Sequence, residues 1–189
     1  MNTLAEPGAA LRAALGNDVR FEWTGRPVQG FYLRTVDALL IPFTGLWLAF
    51  AIFWETLASA AGGPVFMRLW GIPFVLMGLY IFAGRFVVDA YLRGRTAYGV
   101  ANGQAYIVRG GILPRVATFA LASTAPIELS LRGDGSGTIG FGARPSYRNG
   151  FEIFNVGSMR EFVGIRDAAA VYRIVTELAA QRDGTALSR

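Results

Sequence analysis

Two long apolar runs dominate the pattern of hydrophobic and polar positions. Ala38 to Leu57 and Leu69 to Val88 each span about twenty residues, the length a helix needs to cross a hydrocarbon core of ~30 Å. Between them, Ala58 to Arg68 carries the turn signal Ala61-Gly62-Gly63-Pro64. The pattern predicts a membrane helical hairpin over residues 38–92, preceded by a segment 1–37. Within that segment a weak helical stretch surrounds Ala9 to Leu15. Val19-Arg20-Phe21-Glu22-Trp23 alternates as a half-buried strand would, until Gly25-Arg26-Pro27 breaks it.

After Arg95 the period shortens to two. Thr96 to Val100 and Ala105 to Val108 flank Asn102-Gly103, the strongest short hairpin signal a sequence offers. Val116 to Leu121, Ile127 to Leu131, Thr138 to Phe141, Phe151 to Phe154 and Phe162 to Ile165 complete about seven short strands. Turns at this spacing predict a small antiparallel barrel or sandwich over 93–182. A helix closes the domain. Asp167 suits its N-cap, and Val171, Ile174, Val175 and Leu178 make one apolar stripe. Arg182 with Gly184 predicts its end, leaving 183–189 as a disordered tail.

Composition supports the membrane reading and removes chemistries. The chain is 189 residues, 53% hydrophobic and only 16% charged, too apolar for an ordinary soluble domain. It has no Cys and no His, so thiolate metal sites, Cys nucleophiles and imidazole bases are excluded. Lys is absent too, which excludes Schiff-base and P-loop lysines. The net charge of +5 comes from scattered arginines and fits a positive-inside bias, so no nucleic-acid partner is expected.

Those arginines also predict topology. Arg20, Arg26 and Arg34 precede the first run, Arg85, Arg93 and Arg95 accompany or follow the end of the second, and the connecting loop offers only Arg68. Both termini are therefore expected in the cytoplasm, with Arg34, Arg85, Arg93 and Arg95 at the membrane surface. The stretch 1–17 lacks a signal peptide's basic start, so the first run is expected to be an uncleaved anchor. Trp54 and Trp70 are expected at the outer interface. Gly45 with Ala49, and Gly71 with Gly78, are small residues expected to pack helices closely, within the hairpin or on a partner. Glu55 is expected to reach water or Arg68, and Arg85 to pair with Asp89 four residues on.

No stretch carries a catalytic motif. Gly133 to Gly142 is Gly-rich but lacks the Lys and the helix of a P-loop, and a hairpin turn explains it. Glu128, Asp134, Glu152, Glu161 and Asp167 stand on separate elements at no motif spacing, so neither a carboxylate pair nor a metal site is expected. Arg144 to Gly150 reads as a solvated loop. No catalytic residue and no cofactor follow from these residues.

Several short stretches, in order, resemble bacterial membrane-anchored PH-like domain proteins. They are Trp23-Thr24-Gly25-Arg26-Pro27, the two apolar helices, Tyr98-Gly99-Val100-Ala101-Asn102 with Ile107-Val108, Gly135-Ser136-Gly137-Thr138-Ile139, and Ile165-Arg166-Asp167 leading to Val171-Tyr172. Such proteins often carry Thr before the turn Asn and Arg soon after it, where this chain has Ala101 and Gln104. The resemblance implies a PH-like barrel capped by a C-terminal helix at the bacterial inner membrane. The expected role is a non-catalytic interaction module among membrane lipids, docking to or helping assemble membrane proteins. The alternative is a lipid or small-ligand sensor using the barrel mouth.

Overall fold

A computed structural model describes residues 6–30, 33, 37–111, 114–122, 125–142 and 159–187. These fall into two compact units: 6–30 with 90–142 and 159–187, and 33 with 37–89.

The first unit is built on two antiparallel sheets. One has the order β1-β2-β3-β4, formed by β1 (Trp23–Gly25), β2 (Thr96–Ala101), β3 (Gln104–Arg109) and β4 (Arg115–Ala120). The other has the order β5-β6-β7, formed by β5 (Ile127–Leu131), β6 (Gly137–Phe141) and β7 (Glu161–Ile165). The Asn102-Gly103 signal is realised: both residues take positive φ, 52° and 65°, as a two-residue turn matched to strand twist requires. The β2–β3 register that follows sets Tyr98 opposite Ile107 and Val100 opposite Ala105.

That register decides which side chains share a face. Tyr98, Val100, Ala105 and Ile107 join Ile139, Phe141, Phe162 and Ile165 of the second sheet in one core. Tyr98 stacks on Phe162 at 4.6 Å between centroids, and Phe141 meets Phe162 edge-on at 4.7 Å. The opposite face of the first sheet is covered by α1 (Pro7–Leu15), whose Leu11 packs with Ala97, Val108 and Phe21. Gly99 permits this approach, because a Cβ there would sit 2.9 Å from both Leu11 Cδ1 and Phe21 Cδ1. With both faces covered, β2 is buried along its whole length.

The last helix, α5 (Ala168–Leu187), lays Ala168, Val171, Val175 and Ala179 into the core, with Tyr172 and Leu178 packed beside them. Val171, Val175 and Leu178 of the stripe seen in the sequence are used, whereas the half-buried Ile174 is outside the core cluster and Ala168 and Ala179 are added to it. The ends of the helix differ from expectation. Asp167 takes φ 52°, a left-handed conformation that Asp tolerates, and its main-chain carbonyl accepts from the Ala170 and Val171 N–H groups. At the other end the helix runs through Gly184 to Leu187. Arg182, expected to end it, instead donates from Nη1 to Gly103 O at 3.0 Å.

Three further expectations change. Trp23–Gly25 rather than Val19–Trp23 forms the first strand, because it pairs with β2 in the register Trp23–Val100 and Gly25–Tyr98. The N-terminal stretch is thereby part of the sheet unit. No ladder joins the two sheets among the described residues, so of the expected barrel or sandwich the described residues show two packed antiparallel sheets and no barrel closure. The strand expected at Phe151 to Phe154 and the loop Arg144 to Gly150 lie outside the described residues.

The second unit is the hairpin. Its first helix, α2, covers Asp37–Ala60, and the second runs Val65–Gly94 as α3 (Val65–Leu79), a π-helical turn (Tyr80–Gly84) and α4 (Arg85–Gly94). Both are long and apolar enough to cross a membrane by length and composition. The helices extend into the expected loop from both sides, leaving Ala61 to Pro64 as the connection. Pro42 and Pro73 lie inside them, a placement that membrane helices accommodate.

Candidate functional site

The hairpin seam gathers most of the residues singled out in the sequence. On α2 the buried positions are Asp37, Thr44 and Ala51; on the facing helix they are Gly71, Gly78 and Arg85. Each set repeats every seven residues, the spacing that keeps one helix face on its neighbour. Gly78 permits the close approach, since a Cβ there would lie 3.3 Å from Leu48 Cα. A Cβ on Gly71 would land on Glu55 Oε2. Gly45 faces the Phe82 ring, whereas Ala49 is exposed and takes no part in the seam.

The polar groups of the seam do not follow the pairings expected from sequence. Arg85 joins Asp37 across the hairpin, Nη2 to Oδ1 at 2.7 Å, rather than being paired with Asp89 along its own helix. Only 7% of Arg85 and 3% of Asp37 is exposed, so both charges are buried within the hairpin. The pair lies where α2 begins and where the π turn hands over to α4. There the Arg85 N–H donates to Tyr80 O, five residues back, which is the π-helical bond. The Arg85 guanidinium also lies 4.6 Å from the Phe86 ring centroid, and its Nε has no acceptor. Glu55 is half-buried, with Oε2 buried against Gly71 without a hydrogen-bond partner and without the expected ion pair to Arg68. Thr44 satisfies its hydroxyl on Leu40 O at 2.6 Å.

In the sheet unit, Arg93 and Arg95 have different surroundings from those expected. Arg93 is 4% exposed, buried among protein groups. Its Nη1 donates to Val28 O at 2.8 Å and its Nη2 to Gly30 O at 2.6 Å. Gln29 Nε2 returns a bond to Arg93 O at 3.4 Å. A guanidinium fits this task because its fork offers two parallel donors. Arg95 is half-buried and lies 3.9 Å over the Tyr91 ring. Arg34 lies outside the described residues. At the β5–β6 turn, Asp134 Oδ1 accepts from Ser136 Oγ at 2.7 Å and from Ser136 N at 3.0 Å. These bonds hold the Asp134 carboxyl below its ordinary value.

Arg93 and Arg85 are thus committed to other parts of the protein, and Asp134 to its own turn. Such an arrangement positions chain segments. Sequence reading missed the Asp37–Arg85 pair, although one signal was present: the two charges stand at the matching inner ends of the two apolar runs. The Arg93 contacts had no signal, because the acceptors are main-chain carbonyls that any residue supplies.

Comparison of the chain with protein-family models, with curated proteins and with solved structures finds no match in any of the three.

Proposed function

We propose that the chain is a non-catalytic, membrane-anchored PH-like interaction module. In this reading it lies at the cytoplasmic face of a bacterial inner membrane, with both termini cytoplasmic, and docks to or helps assemble other membrane proteins. The observation that carries the reading is the place of the hairpin in the sheet. The chain leaves at β1 and returns at β2, and these two strands are hydrogen-bonded neighbours, with Gly25 opposite Tyr98. A hairpin inserted between adjacent strands brings both ends back to one sheet, so both ends belong on one side of any bilayer it crosses. The arginine bias then assigns that side to the cytoplasm.

Further support comes from the surfaces. Leu39, Phe43, Leu46, Phe50 and Phe53 of α2 are all exposed, as helices facing lipid or another membrane protein would leave them. Seven described strands in sheets of four and three, followed by a helix, fit the order of a PH-like domain. The rings of Tyr98, Phe141 and Phe162 pack together in the core between the two sheets.

Two measurements test the reading. Accessibility tags at the C-terminus and within residues 61–64 are expected on opposite sides of the membrane; a cytoplasmic tag at 61–64 overturns the topology. Purification in mild detergent at native expression, followed by mass spectrometry, is expected to retain a membrane protein in stoichiometric amount. Ala49→Leu, on an exposed face of α2, tests docking through that face without entering the hairpin seam. Chain that emerges free of protein but with one defined lipid supports the sensor instead.

A further inference from the structure

We propose that Asp37 and Arg85 form a latch that closes the inner end of the hairpin and fixes the register of its two helices. The proposal rests on the membrane reading above. Either charge alone would be costly in a segment meant for the bilayer, most at a helix centre and less near its end. Such groups in membrane helices pair with one another or mark function. Here each is buried on a different helix, and the two meet at 2.7 Å.

The other buried positions of the seam supply no ion pair between the helices among the described residues: Thr44 bonds to its own helix, Ala51, Gly71 and Gly78 are small, and the Glu55 Oε2 buried against Gly71 has no hydrogen-bond partner. A buried polar pair differs, because a shift strands two charges. Setting register is the best-attested use of such pairs. The latch is also incompletely satisfied: Arg85 Nε has no acceptor, and the 2.7 Å contact of Nη2 with Asp37 Oδ1 is an ion pair without hydrogen-bond geometry. It follows directly on the π turn Tyr80–Gly84, an irregularity often found at functional positions in helices. The Asp37–Arg85 contact therefore joins the two helices at this end of the hairpin.

The absence of cysteine permits a clean test. Gly45 and Phe82 face each other across the hairpin, so Gly45→Cys with Phe82→Cys gives a pair for oxidative cross-linking in native membranes. On this background, Asp37→Asn or Arg85→Gln is expected to slow cross-linking by about three- to tenfold, the range of single polar contacts between membrane helices. The exchange Asp37→Arg with Arg85→Asp is expected to restore most of the rate. Unchanged rates in both single variants overturn the latch, as does an exchange no better than the singles. Membrane fractionation and alkaline extraction of the same samples report separately on the anchor. Protein recovered in the soluble fraction defeats the membrane reading, whereas the cross-linking rates alone decide the latch.

Discussion

At the scale of single residues, buried polar groups define the core more narrowly than the apolar ones do. Tyr98 is the clearest case. Its ring lies on Phe162, and its hydroxyl accepts a hydrogen bond from the Val163 N–H at 3.1 Å in a buried setting. Tyr98→Phe keeps the ring and strands that N–H, so unfolding in denaturant is expected to show a loss of about 1–3 kcal/mol. An unchanged midpoint would mean that the hydroxyl contributes nothing. Asp134 acts at a turn instead. Its carboxyl is held below the ordinary 3.8 by two bonds from Ser136. A group whose folded value is depressed contributes above its unfolded value and loses that contribution as pH falls through the folded one. The Asp134 carboxyl resonance is therefore expected to titrate below 3.8, with the Ser136 amide shifting in step. Titration at or above 3.8 would contradict the turn. Neither role was legible from type alone. Tyr98 read only as a strand residue, and Asp134 as one of several scattered carboxylates.

At the scale of elements, the apolar runs announced two helices, but not which face each would bury. Gly71 and Gly78 were recognised because small residues seven apart share a helix face, and they do line the seam. Gly45 and Ala49 carried the same kind of signal, yet only Gly45 meets the second helix. The difference lies in phase: four residues advance a helix by more than one full turn, and the second helix covers only part of the circumference. Substitution should separate the two positions. Gly78→Leu forces a side chain against Leu48 and is expected to lower stability in detergent by about 1–3 kcal/mol. Ala49→Leu is exposed and is expected to stay within about 0.5 kcal/mol. Thermal unfolding of both variants checks this, and equal losses would relocate the seam. Helix α5 shows the opposite balance. Its stripe was legible through Val171, Val175 and Leu178, while its end was not. A Gly after Arg182 usually stops a helix, but here the helix continues through it to Leu187.

At the scale of the whole molecule, the chain order hides a nested arrangement. The hairpin does not precede the sheet unit as a leader; it interrupts the unit between β1 and β2. Gly30 and Arg93, on either side of the interruption, are already joined by a 2.6 Å hydrogen bond. Replacing residues 31–89 by a short Gly/Ser linker is therefore expected to leave a folded, water-soluble domain. Its near-UV circular dichroism, dominated by the Trp23, Tyr98 and Phe162 cluster, should be retained. An aggregated product without near-UV signal would show that the sheets need the hairpin.

What the sequence determined by itself is whatever depends on neighbours along the chain. Run length announced two membrane-length helices, alternation and Asn102-Gly103 announced the β2–β3 hairpin, and the 3.6-residue stripe announced α5. Those patterns are local consequences of backbone period and turn sterics. The tertiary structure alone decided matters that join distant residues. It added Trp23–Gly25 to a sheet whose next strand begins at Thr96, gave Arg85 to Asp37 rather than Asp89, and turned Arg93 from a surface charge into a bridge to Val28 and Gly30. The physical reason is the same each time. A buried charge or an open strand edge takes the acceptor that folding brings nearest in space, and the spacing of residues along the chain does not encode that distance.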